Sequence, residues 1–77
     1  MNESVYRVVE LIGSSSEGWE MAAQNAVKVA SKSYADLRVA EVVEMDVLIE
    51  NGIIIAYRTK LRLSFKSVVG EPGPERL

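Results

Sequence analysis

An α+β domain, one helix against a three-stranded antiparallel sheet in the order β-α-β-β, is the fold class that the hydrophobic patterning of the chain predicts. Three observations carry this. Apolar residues recur at Trp19, Ala22, Ala23, Ala26, Val27, Ala30 and Tyr34, the i, i+3, i+4, i+7 spacing of one helical face. From Ile53 to Val68 apolar and polar side chains alternate with period two, as in a strand with one covered face. Two further stretches, Val5 to Ile12 and Val39 to Ile49, are rich in β-branched residues and bounded by turn formers.

Gly13 is expected to end the first strand, and Ser14-Ser15-Ser16-Glu17 to start the helix with capping hydroxyls and an early acid. Glu17 and Glu20 precede Lys28 and Lys32 along the helix, the order its dipole favours. Alanines at 22, 23, 26 and 30 form a stripe of small side chains that lets a sheet approach closely. Trp19 falls on this stripe and reads as core packing before it reads as a ligand-stacking ring.

After a loop at Asp36, the second strand runs over Val39 to Ile49. On the third strand Ile53, Ile55, Tyr57, Thr59, Leu61, Leu63 and Phe65 share the face towards the helix, and Arg58, Lys60, Arg62, Ser64 and Lys66 share the other. Pairing the odd apolar positions Met45, Val47 and Ile49 with that face calls for an odd-length turn. Glu50-Asn51-Gly52 is therefore expected as a three-residue turn with a bulge at Gly52. The adjacent Val42-Val43 marks a change of phase, hence a second β-bulge. It puts Val39 and Glu41 with Glu44, Asp46, Arg58 and Lys60 on the outer face, where cross-strand ion pairs are expected. At ~3.3 Å per residue the third strand would run to roughly 50 Å, so it must curl or reach into neighbouring subunits.

With 77 residues the chain has room for one domain, over 1–69, followed by an aperiodic Gly/Pro-rich tail over 70–77 expected to be flexible. A domain this small buries only about 60% of its unfolded surface and usually needs reinforcement. Cysteine and histidine are both absent, which removes disulfides and the usual zinc sites. Self-association is the reinforcement left. A net charge of −2 speaks against non-specific nucleic-acid binding. No apolar run approaches a membrane span, and Met1-Asn2-Glu3-Ser4 has no signal-peptide character, so a cytoplasmic location is expected.

No phosphate-binding glycine loop or nucleophile elbow is present, and without His or Cys no recognisable catalytic base or activated nucleophile is on offer. No catalytic residue is assigned, and a binding role is expected ahead of an enzymatic one. Glu41, Glu44 and Asp46 cluster on one strand, and oxygen ligands suit Ca²⁺ or Mg²⁺. One strand cannot supply six or more ligands, whereas symmetry-related copies could; solvated surface carboxylates are the alternative.

Beside this stands a resemblance carried by an ordered set of segments. They are Leu11-Ile12-Gly13-Ser14-Ser15, Glu17-Gly18-Trp19-Glu20, Ala22-Ala23, Leu37-Arg38-Val39-Ala40-Glu41-Val42, Tyr57-Arg58-Thr59-Lys60-Leu61 and Ser64-Phe65-Lys66. Over roughly residues 4 to 68 the chain resembles the dodecins. The resemblance implies a sheet partly wrapped around the helix, a hollow homododecameric shell, and non-enzymatic sequestration of flavins. It also places Val39 where the family has its flavin-stacking Trp, and Arg58 where the family has a flavin-binding Gln. Val has no π face and Arg has no acceptor, which implies weak or lost flavin binding. In this respect the chain looks more like the Trp-less branch, the calcium dodecins. Two roles stay open: a small-ligand storage shell, and a cation-binding or structural assembly.

Overall fold

A computed structural model describes residues 5–67 of the chain; the domain end at 69 and the tail over 70–77 lie outside the described residues. The elements are β1 (Val5–Ser15), α1 (Trp19–Ala30), β2 (Leu37–Glu50) and β3 (Ile53–Ser67). They form the expected β-α-β-β arrangement, with all pairing antiparallel and β3 central in the order β1-β3-β2. The longest strand thus has a hydrogen-bonded neighbour on both sides.

β1 does not stop at Gly13. Gly13, Ser14 and Ser15 stay in the sheet opposite Thr59, Arg58 and Tyr57, because ladder bonds to β3 outcompete local capping by the serines. Helix α1 starts at Trp19 with Gly18 at its N-cap and no side-chain cap. The Ser15 hydroxyl instead accepts the Glu17 N–H, at 2.9 Å.

Gly13 has a packing role rather than a turn role. A Cβ placed on it would overlap the carbonyl oxygen of Ala22 and come within 3.0 Å of the Ala26 Cβ. The alanine stripe therefore does what its small size predicted: Ala22, Ala26 and Ala30 are buried, and α1 lies directly on β1 and β3. Beneath it Leu61, Leu63 and Phe65 are buried, flanked by Val9, Leu11, Ala23, Val27, Tyr34 and Leu37. Buried Thr59 donates its hydroxyl to the Trp19 carbonyl at 2.9 Å, and the Asn25 amide donates to the Ser14 carbonyl at 2.9 Å. Trp19 itself is not core. It remains 40% exposed at the helix start, set edge-on to Tyr57 with ring centroids 5.1 Å apart. Its Nε1–H reaches across to the Asp46 carbonyl oxygen, 3.0 Å away, because α1 begins too near the sheet rim to cover an indole.

The β2–β3 connection is a two-residue turn, not a three-residue one: Glu50 pairs with Ile53, and Asn51 and Gly52 have φ of 52° and 76°. Positive φ at both central positions is the type I′ geometry that an Asn-Gly pair favours. Odd-with-odd pairing is recovered by a bulge on the other strand: Leu48 pairs with Ala56 and Ile49 with Ile54, leaving Ile55 as the extra residue. Ile53 consequently leaves the inner face assigned to it. The bulge expected at Val42-Val43 is present, since Val42 pairs with Leu61 and Glu44 with Lys60.

Helix α1 covers β1 and the middle of β3 but leaves most of β2 uncovered. The molecule measures 54 × 21 × 17 Å, with a radius of gyration of 15.4 Å. A compact chain of this length would have about 11 Å. Among the described residues fifteen large apolar side chains are exposed, from Val5 and Tyr6 at one end to Ile53, Ile54 and Ile55 at the other. Replacing Gly13 by Ala should lower the melting temperature, and Ala26→Leu should cost about 1–3 kcal/mol through overpacking. Thermal denaturation checks both, and an unchanged melting temperature would mean that α1 does not rest on β1 as described.

Candidate functional site

The outer face of the sheet carries the candidate site residues, and the Val42-Val43 bulge is what gathers them. By flipping the phase of β2 it aligns Glu41 with Arg62, Glu44 with Lys60 and Asp46 with Arg58. On the opposite side of β3, Glu10 of β1 faces Arg62, and Ile12 faces Lys60. Three basic residues thus run down the middle of the face, with acids on either flank.

The tightest contact is between Arg58 and Asp46. Arg58 Nε and Nη2 each donate to one Asp46 carboxylate oxygen, both at 2.7 Å, a bidentate fork. Hydrogen bonding by Arg58, with its charge adding to the effect, holds the Asp46 carboxyl below the ordinary aspartate value. The same contact raises the Arg58 guanidinium. Asp46 is also the residue whose carbonyl accepts from Trp19, so one β2 position ties the inner-face indole to the outer-face ion pair.

Arg62 is shared between two strands. It donates to Glu10 Oε2 at 3.0 Å and to Glu41 Oε1 at 3.3 Å, and the hydrogen bond to Glu10 leads the causes that raise its guanidinium. Lys60 sits 3.9 Å from the second oxygen of Glu10. Glu44 takes no hydrogen bond and makes no ion pair among the described residues, and acts on Arg58 only through space. On rungs 58, 60 and 62 four carboxylates therefore flank three cations.

Glu41, Glu44 and Asp46 lie on one face, as expected, but at successive rungs about 7 Å apart. Among the described residues no three acids converge within one chain. Val39 is 57% exposed on the same face, opposite Ser64. Six residues of β3 separate that rung from Arg58, roughly 20 Å, so one small ligand can touch both positions only where two copies meet. Glu10 escaped the sequence reading. Its signal was its even position on the first strand, which antiparallel pairing with the third strand converts into a place beside Arg62.

Residues 5–67 match the family model described as Dodecin. A curated relative, the calcium dodecin of Mycobacterium tuberculosis, is 45% identical over 69 residues, covering 90% of this chain and 97% of the relative. The dodecin of Streptomyces coelicolor superimposes with a TM-score of 0.83 at 34% identity, over 88% of this chain and 97% of that one. A crystal structure of the Mycobacterium tuberculosis calcium dodecin, described as calcium-chelating with a novel calcium-binding site, gives a TM-score of 0.76 at 44% identity. It covers 91% of this chain and 100% of that one. With the β-α-β-β topology, the family match over residues 5–67 and 45% identity across 90% of its length, the chain belongs to the dodecin family.

Proposed function

We propose that the chain assembles into a homododecameric, non-enzymatic binding shell, and that its outer-face site takes a divalent cation of the calcium type in preference to a flavin. The observation that carries this is the unequal charge of rungs 58, 60 and 62 on the outer face. Four carboxylates flank three basic groups, with Glu44 unengaged and Asp46 held by Arg58. Where copies abut, the surplus carboxylates accumulate, and a hard cation with six to eight oxygen ligands neutralises them. The 45% identity to a calcium dodecin supports the same choice. Glu44, Glu41 and Asp46 are the proposed ligands, contributed by more than one copy.

Flavin is disfavoured on two counts. Val39 has no ring to stack, and the Arg58 guanidinium is already occupied by Asp46. The missing pair of aromatic contacts corresponds to a ten- to hundredfold weaker complex, at about 0.5–1.5 kcal/mol for each and ~1.4 kcal/mol per decade. Self-assembly is supported independently, by an elongated fold with fifteen exposed large apolar side chains among the described residues and by a sequence with neither cysteine nor histidine.

Light scattering on the purified protein should give the mass of twelve copies of the 8.5 kDa chain, and a mass near one copy would end the shell proposal. Calcium should raise the melting temperature, and Glu44→Gln should weaken calcium binding about tenfold by isothermal titration, since affinity follows ligand charge. Riboflavin fluorescence should be little quenched by the native protein and more strongly by the Val39→Trp/Arg58→Gln double variant. Tight quenching by the native protein would reject the preference for a cation.

Acid should dissolve the Asp46–Arg58 contact with a defined sign. The folded carboxyl titrates below its ordinary value of 3.8. The interaction is therefore complete above about pH 4 and is lost as the pH falls through the depressed folded value. Asp46→Asn should melt lower than the native protein at pH 7, and the difference should shrink as the pH falls through the depressed folded value. Parallel melting profiles across that window would show that the pair adds nothing to stability.

A further inference from the structure

The part of the β2–β3 hairpin beyond Tyr57 is paired with no third strand among the described residues. Leu48, Ile49, Ile53, Ile54 and Ile55 are each 40–64% exposed there. The two-residue turn and the Ile55 bulge distribute them over both faces of the ribbon, with the Ile49–Ile54 rung on one side and Leu48 and Ile53 on the other. A ribbon apolar on both faces is not covered by lying on a flat surface. It needs a cleft with two walls.

Such a cleft is present near the middle of the molecule. Because α1 covers β1 and β3, a groove of about 580 Å³ remains between α1 and the inner face of β2. Ala23, Val27, Ala40, Val42 and Leu61 give it an apolar floor, and Lys28 stands at its rim. The hairpin of the same chain cannot fill it. The Val42–Leu61 rung lies seven residues along β3 from Ile54, roughly 23 Å, and the hairpin points away. The groove carries one acid, Glu20, and one base, Lys28, and only Lys28 can pair with an incoming acid. Glu50 at the hairpin tip and Lys28 at the rim make no ion pair among the described residues of their own chain.

We propose that the tip of the β2–β3 hairpin of one copy docks into the α1–β2 groove of a second copy, with Glu50 meeting the partner subunit's Lys28. The contact, which rests on the self-assembly proposed above and assigns the surfaces that make it, is head to tail. Every copy both gives a hairpin and receives one, so the chains join in closed rings within the shell.

The chain has no cysteine, so introduced pairs report on this geometry without background. In the Val42→Cys/Ile54→Cys double variant an intrachain disulfide is excluded by distance. Mild oxidation of the assembled protein should link chains into species larger than two on a denaturing gel. Each single variant should stay monomeric there. Val27→Cys/Ile54→Cys reads the same groove from the helix wall and serves if Val42→Cys weakens assembly. The charge-reversed pair Lys28→Glu/Glu50→Lys should restore the assembly that either single change weakens. An oligomer of normal mass in which neither double variant cross-links, or in which Ile54→Cys alone forms dimers efficiently, would overturn the docking while leaving the shell intact. A monomeric native protein would overturn the shell itself.

Discussion

The contact between Gly13 and the first turns of α1 is the constraint on which the rest of the structure depends. A side chain at Gly13 would run into the carbonyl oxygen of Ala22, so the helix can settle on the sheet only because β1 has no Cβ at this point. The small faces of Ala22, Ala26 and Ala30 complete the fit, and the buried Leu61 and Leu63 fill the space below. With the helix set this low over β1 and β3, Trp19 is carried to the rim. There its carbonyl accepts from Thr59 and its indole N–H donates to Asp46, fixing the start of α1 to both β3 and β2.

The same placement determines what stays uncovered. One twelve-residue helix lying on β1 and β3 touches β2 at Trp19 but does not cover it, so the inner face of β2 forms one wall of an apolar groove and the hairpin runs on without a helix above it. Neither surface is suited to water, and both lie on strands whose registers are set by bulges. The bare inner face of β2 is thus a consequence of where α1 rests, not of poor packing elsewhere.

On the outer face the bulge at Val42-Val43 has the corresponding role. Without it Glu41 would turn inward and Arg62 would face only Glu10. With it, Glu41, Glu44 and Asp46 form one acidic row beside the basic centre of β3. Asp46 then links the two faces, since its carboxylate holds Arg58 while its carbonyl holds Trp19. A ligand that draws the Asp46 side chain away from Arg58 acts on the strand that also anchors the only tryptophan of the chain.

Much of this was present in the sequence because it rests on periodicity and residue size. The helical stripe, the alternation along β3, the β-bulge at Val42-Val43 and the shared face of Glu41, Glu44, Asp46 and Arg58 all follow from which side chains exclude water and which seek it. The errors arose where local and long-range preferences compete. Ser14 and Ser15 are good caps by themselves, yet pairing with Arg58 and Tyr57 keeps them in the sheet. Asn51-Gly52 was free to close a turn of two residues because a bulge at Ile55 restored the parity, and parity alone cannot say which strand carries the extra residue. Glu10, placed beside Arg62 across a gap of fifty-two positions, is visible only once strand order is known. The sequence by itself determined the elements and most of their faces, since these depend on each residue and its near neighbours. Only the tertiary structure decided how close the helix lies, which strand it leaves bare and which charges meet, since these depend on contacts between distant segments.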